Sequence, residues 1–206
     1  MAVTKTVDAD RIGEAFKAGI RVFGENRVQE LEDKFPNQES REYADWHLIG
    51  HLQSNKTKRA VELFGAVDSV DSVRLAERLD RAAASLGRVV SVLIEVNVAG
   101  EQSKSGIPLD SPELDSLLGA MASLEHLNLR GVMAVPPFTP DPADARPYFR
   151  LVRDLRDSIA MRKLPRVAMD TLSIGMSHDF EVAIEEGSTC VRIGSAIFGE
   201  RPKPSP

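Results

Sequence analysis

Short β-rich runs alternate with amphipathic helical segments eight times along the chain, and this alternation limits the fold more than any other feature. The first run is only "AVT", ahead of Lys5. "DADRIGEAFKAGI" then sets Ile12, Ala15, Phe16 and Ile20 at helical spacing, with Asp8 or Asp10 as cap. "RVFGEN" reads as strand and turn, and "RVQELEDKF" as a helix that stops before Pro36. "DWHLIGHLQ" precedes "SNKTKRAVELF", a helix capped by Ser54 or Asn55. "GAVDSVDS" leads into "VRLAERLDRAAASLG", closed by Gly87 at the C′ position. "RVVSVLIEVNV" is apolar without alternation, as in a parallel-sheet strand covered on both faces. The helix "SPELDSLLGAMASL" follows, with Ser111 as cap and Pro112 in its first turn. "NLRGVMAVPP" precedes "ADARPYFRLVRDLRDSIAM", whose start near Asp144 keeps Pro147 in the first turn. "MDTLSIGMS" with "DFEVAIEEG", and "TCVRIGS" with "AIFGERP", complete the series.

Eight such units favour a closed (β/α)8 TIM barrel over an open doubly wound sheet. The 206 residues would form one domain at the compact end for that fold, since Pro136–Pro142, the longest loop-like stretch, is too short to separate two. A hydrophobic content of 42% supports an ordinary core. The net charge of −5 and the absence of a basic run exclude a nucleic-acid footprint. Lys56, Lys58 and Arg59 read as one solvated helix face. The lone Cys190 reads as a small buried hydrophobe, which rules out a disulfide or a cysteine-based metal site within one chain and fits a reducing compartment. No run is long enough for a membrane helix and no signal peptide is evident, so the sequence predicts a cytoplasmic protein.

In a barrel of this kind, side chains just past the strand C-termini face the active site. Lys5 follows the first run, Gly24, Glu25 and Asn26 the second, His51 and Gln53 the third, and Met133 the sixth. Ser173 to Ser177 follow the seventh, and Arg192, Gly194 and Ser195 close the eighth. For Asp68, Ser69 and Asn97, helix capping and function stand as equal readings. "LSIGMS" and "VRIGSAIFG" each put glycine and serine between a strand and a helix start. They serve as caps and tight turns, or they bind an anion where barrels of this type commonly hold phosphate. In the second reading Gly175, Gly194 and Gly199 let a phosphate approach, and Ser177 and Ser195 donate hydroxyls.

At a chain terminus a lysine is ordinarily a frayed, solvated charge. At the mouth of a barrel it loses some preference for the charged form, and its neutral amine can form a Schiff base with an aldehyde. Pyridoxal 5'-phosphate (PLP) offers both that aldehyde and a phosphate. Arg192 then either pairs with a carboxylate or faces the pyridine nitrogen. An arginine there cannot accept a proton, leaving the ring a poorer electron sink.

"AVTKT", "FGENRVQE", "WHLIGHLQSNK", "IEVNVAGEQSKSG", "GVMAVPP" and "LSIGMSHDFEVAIEEGSTCVRIGSAIFGERP" together resemble the pyridoxal phosphate homeostasis proteins, over nearly the whole chain. The resemblance implies an alanine-racemase-type barrel with PLP on a lysine after the first strand, here Lys5. It implies Asn26 near the ring, Ser177, Gly194 and Ser195 at the phosphate, Arg192 at the ring nitrogen and Met176 lining the site. Met133 and Ser173 are further candidates. Members usually carry a helix and a fuller first strand ahead of the lysine, whereas only Met1 to Thr4 precede it here. The first barrel strand is therefore expected to be short, with underpaired edges. His51 stands where a more apolar or prolyl residue is expected, and reads as rim variation.

The expected function is intracellular PLP homeostasis without robust catalysis; the alternative is a PLP-dependent amino-acid racemase. A racemase needs a second base, typically a tyrosine. Alanine racemases take it from a β-rich second domain, for which a chain ending at Pro206 has no room. Tyr43 and Tyr148 sit at no expected strand end. A cofactor-free Schiff-base aldolase is disfavoured by Arg192 and the two phosphate-type turns. The expected protein is a monomer with no metal, its partners PLP and the PLP-dependent apo-enzymes that would receive it.

Overall fold

The computed structural model describes residues 1–37, 39, 41–101 and 105–200. Gln102–Lys104 of the "EQSKSG" motif and the tail after Glu200 lie outside them. The first half of the barrel comprises β1 (Ala2–Val3), α1 (Ala9–Lys17), β2 (Val22–Glu25), α2 (Val28–Lys34), β3 (Asp45–Leu48), α3 (Thr57–Leu63), β4 (Ala66–Val70) and α4 (Val73–Ser85). The second half comprises β5 (Val90–Asn97), β6 (Ile107–Pro108), α5 (Pro112–Ala120), β7 (Leu127–Ala134), α6 (Arg146–Met161), β8 (Val167–Met176), α7 (Phe180–Glu185), β9 (Cys190–Arg192) and α8 (Ser195–Phe198).

All strand pairs are parallel, in the order β1-β2-β3-β4-β5-β7-β8-β9. The two-residue β6 lies off this path, against the end of β5. A bridge between Ala2 and Ile193 closes the ring. Val3 N–H donates to the Ile193 carbonyl at 2.8 Å, Ile193 N–H to the Met1 carbonyl at 3.0 Å, and the Met1 ammonium to the Val191 carbonyl at 3.1 Å. On the other side Ala2 and Val3 register with Phe23 and Gly24 of β2. The first strand is short as expected, but the expectation of underpaired edges is corrected, because both its edges are hydrogen-bonded.

Local chemistry explains three of the helix starts. Asp8, Ser72 and Ser111 side chains accept from the backbone N–H groups of Arg11, Leu75 and Leu114, satisfying orphan donors at three helix starts. Neither Ser54 nor Asn55 caps α3. Ser54–Lys56 form a 3-10 turn, and the Thr57 hydroxyl donates to the Ser54 carbonyl at 3.1 Å. Apolar helix faces pack on the outside of the sheet: Phe149, Val152 and Ile159 of α6 are buried with Leu172 and Ile174 of β8. Each such side chain stabilises the fold by roughly 1.5–3 kcal/mol.

The candidates Met133 and Ser173 are corrected here. β7 continues to Ala134 and β8 to Met176, so both residues lie inside strands and are buried rather than at a strand end. Asp68 and Ser69 likewise belong to β4 and cap nothing: Ser69 Oγ donates to the Gly50 carbonyl and Asp68 faces His47. Asn97, at the end of β5, donates through Nδ2 to the Glu101 carbonyl.

Candidate functional site

Lys5 stands in the turn after β1. Thr6 beyond it adopts φ +64, a costly left-handed conformation for a β-branched residue. The residue before the lysine is held from three directions. Thr4 Oγ1 donates to Glu25 Oε1 at 2.6 Å, Thr4 N–H to the Gly24 carbonyl at 3.0 Å, and Lys34 Nζ to the Thr4 carbonyl at 2.7 Å. Lys34 Nζ also pairs with Glu25 Oε1 at 2.7 Å, while Glu25 itself is fully buried. Burial pushes the Glu25 pKa up, against the opposing pull of the Lys34 and Thr4 hydrogen bonds.

Arg192 ends β9 and is only 4% exposed. Its Nη1 donates to the Ser173 carbonyl and to Ser173 Oγ, both at 2.7 Å, and its Nη2 to the Ala134 carbonyl at 2.8 Å. No ion pair to Arg192 occurs among the described residues, so its orientation is set by neutral acceptors on β7 and β8. Burial pushes its pKa down from the usual guanidinium value, opposed by the negative charge of Asp68 and Glu95. Ser173 thus aims Arg192 from beneath the site, and that role explains a polar residue in the strand interior.

The turns after β8 and β9 interlock. Asp179 Oδ1 accepts from Met176 N–H at 2.6 Å, folding the first turn. Gly175 adopts φ +92, and a Cβ there would meet the Ala183 Cβ at 2.5 Å. Ser177 Oγ accepts from the N–H groups of Gly194 at 3.1 Å and Ala196 at 3.3 Å, so donors from the last turn converge on one oxygen.

These groups surround one cavity of about 460 Å³ at the C-terminal ends of the strands. Seven of the residues named from the sequence line it: Lys5, Asn26, Met176, Ser177, Arg192, Gly194 and Ser195. Met133 and Ser173 do not. Val3, Ile49, Val135 and His178 complete the wall and were not read from the sequence as site residues. His178 was the most accessible to that reading, since it directly follows Ser177 past a strand end. It lies 3.0 Å, through Nε2, from the Thr139 carbonyl and stacks on the 77%-exposed Phe138 with ring centroids 5.1 Å apart. An adjoining cavity of about 340 Å³ shares Asn26, Ile49 and Val135. His51 belongs to this second cavity, exposed and 3.8 Å from Asp71.

A larger surface groove of about 590 Å³ lies at the opposite end of the barrel, beside Asp45, Trp46 and Gly65. Its Arg41 and Arg88 already donate to the Phe35 and Val61 carbonyls, and it holds none of the strand-end residues. His47 and Asp68 line a further cavity of about 320 Å³ with Ser91, Thr171 and Cys190, also near the strand N-termini. His47 Nδ1 is 3.0 Å from Asp68 Oδ1. Burial works against the imidazolium, but the Asp68 hydrogen bond and charge outweigh it and hold the His47 pKa above the ordinary value of 6.5. The pair therefore stabilises the fold fully below that unfolded value and loses its contribution as pH rises through the folded one. In urea unfolding, the stability advantage of wild type over His47→Gln is expected to be greatest near pH 6 and to shrink toward pH 9, with ~pH 6.5 as the reference for free histidine. A difference independent of pH would contradict this.

Fold and site together define a barrel of the alanine racemase N-terminal-domain class, and residues 1–202 match the model of that family. The pyridoxal phosphate homeostasis protein of Aquifex aeolicus is 42% identical over 201 residues, covering 98% of this chain and 86% of that protein. The protein of the same name from Escherichia coli K12 is 44% identical over 203 residues, covering 98% and 85%. The chain belongs to the pyridoxal phosphate homeostasis protein family. Among solved structures, PipY of Synechococcus elongatus with PLP bound superposes with a TM-score of 0.88 at 37% identity, covering 97% of this chain and 91% of that one. Alanine racemase of Clostridium difficile 630 has a TM-score of 0.72 at 16% identity, covering 98% and 52%, a likeness of fold. Among the described residues, no helix is long and apolar enough to cross a membrane.

Proposed function

We propose that this protein holds PLP as a Schiff base on Lys5 and serves PLP homeostasis without robust catalysis. The observation that carries this reading is the convergence of Lys5, Arg192 and the Ser177–Gly194 turn on one cavity. When bound, PLP supplies an aldehyde open to a primary amine and an electron-withdrawing ring. Lys5 is the primary amine in the cavity wall; its condensation with an aldehyde forms one C=N bond and releases one water. The donor set fits the rest of the molecule. The N–H groups that meet at Ser177 Oγ, with the Ser195 hydroxyl beside them, suit a phosphate. Arg192 has no acceptor atom and favours a ring nitrogen without a proton. Asn26 and Met176 supply the wall beside the ring.

The same cavity supports a holder over a racemase. No tyrosine lines it among the described residues. Tyr43 packs edge-on to Phe16 with centroids 4.6 Å apart, and Tyr148 lies on α6 against the core. Racemisation through a lysine and a second base has no tyrosine to use there. The reading extends to a cytoplasmic monomer that exchanges PLP with PLP-dependent apo-enzymes; a single half-buried thiol, Cys190, suits a reducing compartment.

The test is to reconstitute the protein with PLP, reduce it with borohydride and map the modified peptide. The label is expected on Lys5, with no saturable racemisation of any amino acid. Label elsewhere, or none, would overturn the binding site; saturable turnover would overturn the non-catalytic role. A second test concerns Gly50, where a Cβ would stand 2.4 Å from the Asn26 carbonyl oxygen and 2.9 Å from its Cα. The contact is with backbone, so Gly50→Ala must displace Asn26. A cost of about 1–3 kcal/mol in stability follows from such overpacking, together with PLP affinity reduced by about tenfold, the equivalent of ~1.4 kcal/mol. Unchanged PLP titration curves would show that Asn26 does not contact the ligand.

A further inference from the structure

The cavity that adjoins the proposed cofactor cavity has a chemistry of its own. Its shared walls are Asn26, Ile49 and Val135; its private walls include Glu95, His51 and Ser105. Glu95 is 9% exposed. Its Oε1 accepts from Ser105 Oγ at 3.3 Å, and its Oε2 has no hydrogen-bond partner among the described residues. Among the described residues the charged groups that act on it are Asp71, Arg192 and His51. Of these, Arg192 donates to Ser173 and the Ala134 carbonyl, and His51 lies 3.8 Å from Asp71. A buried carboxyl oxygen left without a donor costs about 1–3 kcal/mol, and native structures seldom retain one without use.

We propose that this second cavity is a subsite for a primary amine that carries no carboxylate, with Glu95 as the group that recognises its ammonium. An ammonium would bring the donors that Oε2 lacks. Selectivity follows from the charge of Glu95 itself: among the described residues no lysine or arginine lines this cavity, and its one basic lining side chain, His51, lies 3.8 Å from Asp71. An α-amino acid would place its carboxylate beside Glu95, a like-charge contact that discriminates against it. An alkylamine or a lysine side chain has the favoured charge and an apolar stem for Ile49, Val96 and Val135. The inference rests on the proposed function for its meaning. Beside a lysine-held aldehyde, the subsite presents the class of molecule that competes for that aldehyde, namely an amine accepting the cofactor from its carrier.

The test uses the full chain freed of PLP, with n-propylamine, alanine and n-propanol as probes in NMR-detected titrations. n-Propylamine is expected to bind saturably, at least tenfold more tightly than either alanine or n-propanol. Glu95→Gln is expected to weaken it at least tenfold, whereas Ser105→Ala retains binding because the carboxylate persists. Thermal melts confirm that each variant is folded, and the wild-type comparison of the three probes stands if Glu95→Gln is not. No saturable binding, equal binding of alanine and n-propylamine, or an unaffected Glu95→Gln would overturn the subsite. PLP loading of the same preparations separates the two readings. Loading without amine binding refutes the subsite alone; amine binding without loading refutes the cofactor reading and leaves the ammonium site standing.

Discussion

Lys5→Ala protein is expected to bind PLP at least a hundredfold more weakly than wild type and to lose the absorbance band that borohydride traps. The first effect corresponds to about 2.7 kcal/mol, two tenfold steps of affinity. The second follows from chemistry: Lys5 is the one lysine that lines the cavity among the described residues. Alanine leaves in place the bonds from Thr4 to Glu25 and from Lys34 to the Thr4 carbonyl, which hold the turn after β1. Circular dichroism and melting temperature should therefore stay close to wild type while attachment disappears. Retained trapping in Lys5→Ala would move the anchor to another lysine and refute the assignment.

The second large effect falls on stability, through Lys34. In Lys34→Met the fully buried Glu25 would keep Thr4 as its hydrogen-bond donor but lose its ion-pair partner. Breaking a buried pair from one side costs about 3–5 kcal/mol, since an uncompensated charge stays behind. For a chain of this size that lowers the melting temperature by about 10 °C. The double variant Lys34→Met, Glu25→Gln removes the charge as well and is expected to recover more than half the loss. Calorimetry on the two single variants and the double closes the cycle. Additive losses would mean that the two side chains are not coupled across their 2.7 Å contact.

The alternation of strands and helices was legible from hydrophobic periodicity, helped by local chemistry at several helix ends. Asp8 and Ser111 cap as their positions suggest, and Gly87 and Gly187 take φ +62 and +91 past the ends of α4 and α7. Strand ends were less legible, because a polar residue looks the same whether it ends a strand or serves the barrel interior. Ser173 was read as lying past a strand end, yet it sits within β8 as the acceptor for Arg192. Asp68 is likewise an interior group, facing His47 from a neighbouring strand. Met133 is simply a buried interior residue of β7. Seven of the nine cofactor residues named from the sequence share a cavity; all but Lys5 belong to the stretches "GEN", "GMS" and "RIGS", whose glycine, asparagine and serine mark where the chain leaves the sheet. Glu25 was read only as a strand-end residue, without its partner, and Glu95 was not singled out at all. Their partners Lys34 and Ser105 are 9 and 10 residues away, and no periodicity signals such a contact.

The ring is shut by a seam of few bonds, between Met1–Val3 on one side and Val191–Ile193 on the other. Lys5 stands two residues beyond one bank of that seam and Arg192 within the other, and both line the cavity. A molecule gripped by both would act as a clasp between the first and last repeats. Opening the seam would then require letting go of the molecule, so the closed ring gains stability with the logarithm of ligand concentration. The tightness of the grip and the integrity of the barrel would become two faces of one equilibrium. A carrier built this way would be most rigid when loaded and loosest at the moment it is empty.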